Sequence, residues 1–516
     1  MLFNSFGFIL VLLPVFLIGY YLMQHFITDN ALAQKCMEIW LIIISICFFA
    51  TFGWCYMAVF AISIVINLLF FLILRNQKRD RKNAVILGIA VAINIASLLF
   101  FKYSNVDSII YPLAISFYTF QQIAFLVDVY RGDIEDASVI EYLCYITFFP
   151  KVLQGPIARY EVLMPQLKRM SKGRLVADNI FRGITLFTIG LCKKVLLAEI
   201  FGECVSYGYS SLAGLTWLDA IIVAVCYSFQ LYFDFSGYCD MAAGICMMMG
   251  IGKSTSDSSI RGLAVDDREA EYLQLPINFD SPYKARNIIE FWKGWHITLT
   301  RFFTKYVYIP LGGNRVGKGR MYLNFLIVFF LSGVWHGEGW NFIIWGMMHG
   351  ALYVLTRMYG DAVGAGKDLQ NAAVIKSKTV AARLLDGLKT ALTFIYVTIA
   401  WVFFRAESVT DAMTLLGKVF QVPYRTISIK FAECFQMDEI WYVLKVTPVP
   451  DWKYGSYVCV WLLLGFAGFI IWGRANAIRF VPKMKIRWWT PIIIGCLFIW
   501  GVISMSGVST FLYLNF

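Results

Sequence analysis

Charge is scarce in this sequence. Asp, Glu, Lys and Arg make up 15% of the 516 residues, whereas 59% are hydrophobic; soluble domains carry about 25% charged residues. This balance excludes an ordinary cytosolic enzyme, and the apolar content excludes a disordered chain. None of the 12 cysteines forms a C-x-x-C pair and most lie inside apolar runs, so neither a disulfide framework nor a zinc site is indicated. A G-x-S-x-G elbow is also missing, which argues against an embedded serine esterase. Gly250-Ile-Gly-Lys-Ser-Thr255 ends like a phosphate loop, but the glycine that pattern requires is replaced by Met247. Nucleotide hydrolysis is excluded with it.

What is present in quantity is long apolar runs. At roughly 20 residues per crossing the chain holds about ten to twelve membrane segments. The runs are Phe6–Phe26, Ile39–Phe52, Trp54–Leu74, Ala84–Phe101, Ile109–Val127, Ile180–Ala198, Leu215–Phe233, Tyr322–Ile344, Trp345–Met358, Ala391–Phe404, Tyr457–Trp472 and Pro491–Ser506. The first has no Lys or Arg ahead of it and no small-residue cleavage pattern behind it, so it is expected to remain as a span.

The formal charge of +12 comes from short basic clusters between these runs. Arg75, Lys78, Arg79, Arg81 and Lys82 form the sharpest, and the positive-inside rule places them in the cytoplasm with Arg315, Lys318 and Arg320. The loop from Arg405 to Lys453 balances its charges and suits the outer face. Gly360–Ala382 has the composition of a flexible linker. No internal repeat of the transporter kind stands out.

Ionisable residues inside apolar runs are functional candidates by default. With only four histidines in the chain, each carries weight. His336 lies in Leu331-Ser-Gly-Val-Trp-His-Gly-Glu-Gly-Trp-Asn341, where three glycines interrupt a hydrophobic run. Backbone freed there must line a protein-enclosed or watery space. Two readings fit: a general base, or a buried histidine tying two helices together. His296 follows Trp292 and Trp295, and helical spacing aligns Trp292, His296, Leu299 and Phe303 on one stripe, as in an interfacial aromatic belt or a site. His349 and His25 read as structural. Asp234 and Asp240 end an apolar run and could position a substrate or a histidine; the alternative reading is helix capping by Asp234 or Ser236.

Three runs, Pro276 to Thr300, Tyr308-Ile-Pro-Leu-Gly-Gly-Asn-Arg315 and Ser332-Gly-Val-Trp-His-Gly337, resemble the membrane-bound O-acyltransferase (MBOAT) family. Within it they are most similar to the bacterial polysaccharide O-acetylases typified by alginate O-acetylase. Phe149-Pro-Lys-Val-Leu-Gln-Gly-Pro-Ile-Ala-Arg159 and Tyr232-Phe-Asp-Phe-Ser-Gly-Tyr238 are further signatures of that branch, and Phe3-Asn-Ser-Phe6 and the tail Phe511–Phe516 are similar too. Thr304-Lys305 stands where many relatives have Arg-Asp.

The resemblance implies an all-α polytopic membrane protein of one domain over residues 1–516, with a signature core at about 149–350 and peripheral helices at 1–148 and 351–516. In such a fold, re-entrant and interfacial helices surround a central tunnel. It implies His336 as catalytic histidine and His296 as the second signature histidine, with Asp234, Trp335, Asn278, Arg315 and Lys151 as candidate substrate-binding residues. The expected activity is transfer of an acyl group, acetyl in this branch, from a cytoplasmic thioester to hydroxyls of an extracytoplasmic polysaccharide or to a partner protein. No bound cofactor or metal is expected. The donor would be acetyl-CoA or a charged acyl-carrier protein, and the location a bacterial cell membrane. A periplasmic or surface-anchored acyltransferase would be the partner, docking on Arg405–Lys453 or the aromatic tail. Nucleic acid is not expected as a partner. The alternatives are D-alanyl transfer to teichoic acid, and a non-catalytic transporter or scaffold for a secreted acyltransferase.

Overall fold

The computed structural model describes residues 1–75, 80–104, 111–254, 262–266, 269–364, 379–421, 426–437, 454–473, 475–505 and 511–512. These residues are helical throughout apart from turns, connecting segments and one isolated bridge between Gly250 and Tyr272. Seven of the described helices are long and apolar enough to cross a membrane: Phe8–Phe26, Asn30–Ala50, Trp54–Leu74, Arg81–Tyr103, Trp217–Met247, Val380–Arg405 and Gly455–Gly473. The protein is an all-α, multi-pass membrane protein. Ile115–Arg131, Ala177–Cys192, Lys318–His336, Trp340–Ala362 and Thr490–Ile503 take up the other apolar runs as helices outside that set.

The spanning helices carry their apolar surplus outward. Trp54–Leu74 buries Phe60, Asn67 and Phe71 while Ile62, Val65, Leu69 and Ile73 stay exposed. Water would penalise that face by about 25 cal/mol per Å², whereas lipid is as apolar as the side chains.

Helix ends follow local chemistry more than hydropathy. The second span begins at Asn30, well before the expected Ile39, because Asp29 Oδ1 accepts the Ala31 amide at 2.8 Å and caps it. Val380–Arg405 likewise starts before Ala391, at a Thr379 cap. The two expected runs Tyr322–Ile344 and Trp345–Met358 are redivided as Lys318–His336 and Trp340–Ala362, with the break at Gly337-Glu338-Gly339. The stretch expected as an outer loop holds the helices Val409–Lys418 and Ile429–Glu433. Its residues 422–425 and 438–453, residues 365–378 of the expected linker, Lys78 and Arg79 of the basic cluster, and the tail 513–516 lie outside the described residues.

The chain divides into two compact units, Met1–Cys192 with Phe235–Ile277 and Ala477–Phe516, and Lys193–Asp234 with Asn278–Asn476. Within the first, buried amides join three helices. Asn67 Nδ2 donates to Asn94 Oδ1 at 3.1 Å and to Gln122 Oε1 at 2.8 Å, and Asn94 Nδ2 returns a bond to Asn67 Oδ1 at 2.7 Å. Within the second, Lys318–His336 and Trp340–Ala362 form a tight hairpin. A Cβ on Gly333 would lie 2.6 Å from the Phe342 carbonyl oxygen, and one on Gly346 would lie 2.5 Å from that of Phe329. Only glycine admits this approach.

Candidate active site

Every sequence-derived site residue except Lys151 and Asp240 falls in the second unit. His336 is the last residue of Lys318–His336, and the chain turns extended at Gly337 before the next helix starts at Trp340. Its ring is 3% exposed and walled by aromatics: Trp335 at 4.4 Å, Phe404 at 4.8 Å, and Trp345 edge-on at 4.9 Å and 88°. Such ring pairs contribute about 0.5–1.5 kcal/mol each beyond their buried area. Asn341 Nδ2 donates to the carbonyls of Phe403 at 3.3 Å and Ala406 at 2.7 Å, which ties the start of one wall helix to the end of the helix that carries Phe404.

His296 departs from the expected helical stripe. Ile288–Gly294 ends before it and Ile297–Phe303 begins after it, with His296 itself left-handed at φ 41°. The strain, on the order of 1–3 kcal/mol, is held by hydrogen bonds. Asn278 Oδ1 accepts from the Thr298 amide at 3.2 Å and the Thr298 hydroxyl at 2.8 Å, and lies 3.1 Å from His296 Nδ1. Asn278 is thus a partner of the histidine.

An aromatic cluster fills the space between the two histidine-bearing segments. Trp295 lies 5.0 Å from Trp401, which stacks on Trp345 at 5.6 Å, the same tryptophan that meets His336. His349 is fully buried in this cluster, 5.1 Å from Trp292 and 5.2 Å from Trp345.

Beside the cluster lies a cavity of about 530 Å³. On Lys318–His336 it is lined by Phe325, Val328, Phe329 and Ser332, one face of the helix, and His336 continues that face one turn beyond Ser332. On the other side it is lined by Trp292, Ile297 and Thr300, which bracket His296. Its cations are Lys293, Arg301 and Arg357, and among the described residues no carboxylate lines it.

The remaining candidates are placed apart. Asp234 is neither a helix cap nor at a helix end: Trp217–Met247 runs through it, and its Oδ1 takes the Lys194 ammonium at 2.8 Å, with Glu199 on the same ammonium at 2.5 Å. Asp240 lies further along that helix, in the first unit. Arg315 is exposed on the short turn Gly313–Arg315, next to Asn314, which does line the cavity. Lys151 is fully buried in the first unit, bonded to Gln121 Oε1 and 3.7 Å above the Tyr145 ring. Sequence reasoning passed over Lys194, Trp345, Phe404, Arg301 and Arg357. Lys194 had a signal, a lysine pair inside an apolar run; the others had none.

The model of the membrane-bound O-acyltransferase family matches residues 128–365, a stretch that contains both histidines and the cavity. The peptidoglycan O-acetyltransferase of Helicobacter pylori is 35% identical over 456 residues, 81% of this chain and 79% of that one. The probable alginate O-acetylase AlgI of Pseudomonas aeruginosa is 32% identical over 81% of this chain and 75% of its own. The chain belongs to the MBOAT family. It is a membrane-bound acyltransferase, and these two relatives are by name O-acetylating enzymes. The teichoic acid D-alanyltransferase of Lacticaseibacillus rhamnosus is a more distant relative, 26% identical over 55% of this chain.

Proposed function

We propose that this MBOAT protein takes an acetyl group from a cytoplasmic thioester, coenzyme A or a carrier protein, and passes it toward hydroxyls of an extracytoplasmic polysaccharide, directly or through a partner acyltransferase in a bacterial cell membrane. His336 removes the proton from the accepting hydroxyl, the oxygen attacks the thioester carbonyl, and the thiol leaves. One observation carries this reading: the helix face that lines the cationic 530 Å³ cavity leads, one turn on, to His336, and the other wall brackets His296.

The cavity suits a thioester arm in two respects. Its aromatic and aliphatic walls accept an apolar, water-excluding chain. Lys293, Arg301 and Arg357 line it and attract phosphate. Its Asn314 neighbours the basic group Arg315, Lys318 and Arg320, which the positive-inside rule assigns to the cytoplasm, where thioesters are made. Acetylation is favoured over D-alanyl transfer by the higher identity and coverage of the O-acetylating relatives.

The test uses purified protein in lipid nanodiscs, with labelled acetyl-CoA and acetylated carrier protein offered in parallel and thiol release followed. His336→Ala should lower release at least 100-fold while the protein stays inserted and monodisperse. Release at the wild-type rate would remove His336 from the chemistry.

A further inference from the structure

The contact between Asn278 and His296 decides which ring nitrogen carries the proton. Three groups converge on the Asn278 carboxamide atom: the Thr298 backbone N–H at 3.2 Å, the Thr298 hydroxyl at 2.8 Å and His296 Nδ1 at 3.1 Å. A backbone N–H only donates, so the amide atom facing it is the oxygen; the inverted amide would set its own N–H groups against that donor. An amide oxygen only accepts. Nδ1 of His296 is therefore the donor, and a neutral imidazole protonated at Nδ1 carries its lone pair on Nε2. The groups are buried, Asn278 and His296 at 1% exposure and Thr298 at 3%, which keeps bulk water from competing for the bond. The left-handed backbone at His296, a conformation rare outside glycine, lets the ring and the Thr298 amide reach the same oxygen.

We infer that Asn278 is a positioning residue that locks His296 as the Nδ1–H tautomer, so that His296 enters acyl transfer through Nε2 as an acceptor and not as an oxyanion donor. The inference rests on the reading of His296 as part of the active site. In this tautomer Nε2 can take a hydrogen bond or a proton from a hydroxyl or thiol. It has no N–H to offer an oxyanion developing on the thioester carbonyl, whose stabilisation then falls to other donors. A proton accepted at Nε2 leaves an imidazolium still bonded through Nδ1–H to a neutral amide oxygen, a weaker partner for a cation than a carboxylate would be.

With four histidines in the chain, ring-¹⁵N-histidine labelling of the whole protein in nanodiscs gives a spectrum that His296→Gln assigns. The expected wild-type signal is a protonated Nδ1 and a bare Nε2. Asn278→Leu should abolish that preference and lower kcat about 10- to 100-fold. Asn278→Asp should keep the tautomer, recover part of the rate, and move the acid limb of the kcat/KM profile to higher pH, because a carboxylate favours the protonated ring. A His296 proton found on Nε2 would overturn the inference whatever the activity. Equal loss in the Leu and Asp variants with an unmoved acid limb would reduce Asn278 to a packing role and overturn it as well. Failure of the underlying reading looks different: His296→Gln with full activity, while the wild-type spectrum still reports Nδ1–H, would sink the catalytic half alone.

Discussion

Lys194 is 2% exposed and holds two carboxylates, Asp234 at 1% exposure and Glu199 at 20%. Removing Lys194 takes a shared cation from both acids; removing Asp234 leaves Glu199 on the lysine. Breaking a buried ion pair from one side costs about 3–5 kcal/mol. Lys194→Met should therefore sit at the upper end of that range, and Asp234→Asn below it, because Glu199 continues to neutralise the ammonium. The double variant Lys194→Met/Asp234→Leu should recover more than half of the larger loss, since an apolar pair of similar volume replaces the charges. Reversible unfolding in mixed micelles with increasing dodecyl sulfate measures the three values and their coupling. The same proteins, assayed for thiol release, separate structure from substrate binding. If Asp234 serves packing, the double variant keeps its turnover once folded. Wild-type stability in Asp234→Asn would refute the electrostatic reasoning, and a stable but inactive Asp234→Asn would return Asp234 to the substrate.

Replacing Arg301 and Arg357 by Gln, singly, should raise the KM for a phosphate-bearing thioester about five- to tenfold each while kcat stays within twofold, since a charge-assisted bond contributes about 1.5–3 kcal/mol and both side chains are partly open to solvent. The effect should shrink as salt is added, and a KM indifferent to both changes would take the donor out of the cavity. Lys253 and Arg174, each 3.3 Å from Glu271, hold its carboxyl below the usual range. A depressed carboxylate lends stability above its unfolded pKa and loses it as pH falls through the folded value. Glu271→Gln should thus melt slightly below wild type at neutral pH, by less than about 1 kcal/mol given that Arg174 is 75% exposed, and the two should converge below about pH 4.

Hydropathy alone located the spanning helices because lipid rewards the same residues along their whole length, as in Trp54–Leu74, where the expected and observed limits coincide. It misplaced limits where a single polar atom overrides it. The Asp29 cap starts a helix at Asn30, nine residues before the apolar run expected from Ile39, and the glycines after His336 end one that hydropathy would have carried on to Ile344. Both features were written in the sequence, but in capping and conformational terms that an average over many residues erases.

The two histidines differ in the same way. Beside His336 the interruption announces itself, because glycines inside an apolar run have few uses other than to open or tighten the backbone. At His296 the only local mark is Gly294, where the first helix ends, and the residue that holds the break, Asn278, whose oxygen takes the Thr298 amide, lies eighteen positions from the histidine. The partner of Asp234 is likewise forty positions off, on another helix. Residue types name the groups able to do chemistry, because ionisable side chains are expensive in a bilayer and few survive there without use. Which group each one answers to is a matter of tertiary contact, and that contact alone separates a carboxylate that neutralises a lysine from one that meets a sugar, or a histidine that accepts a proton from one that donates it.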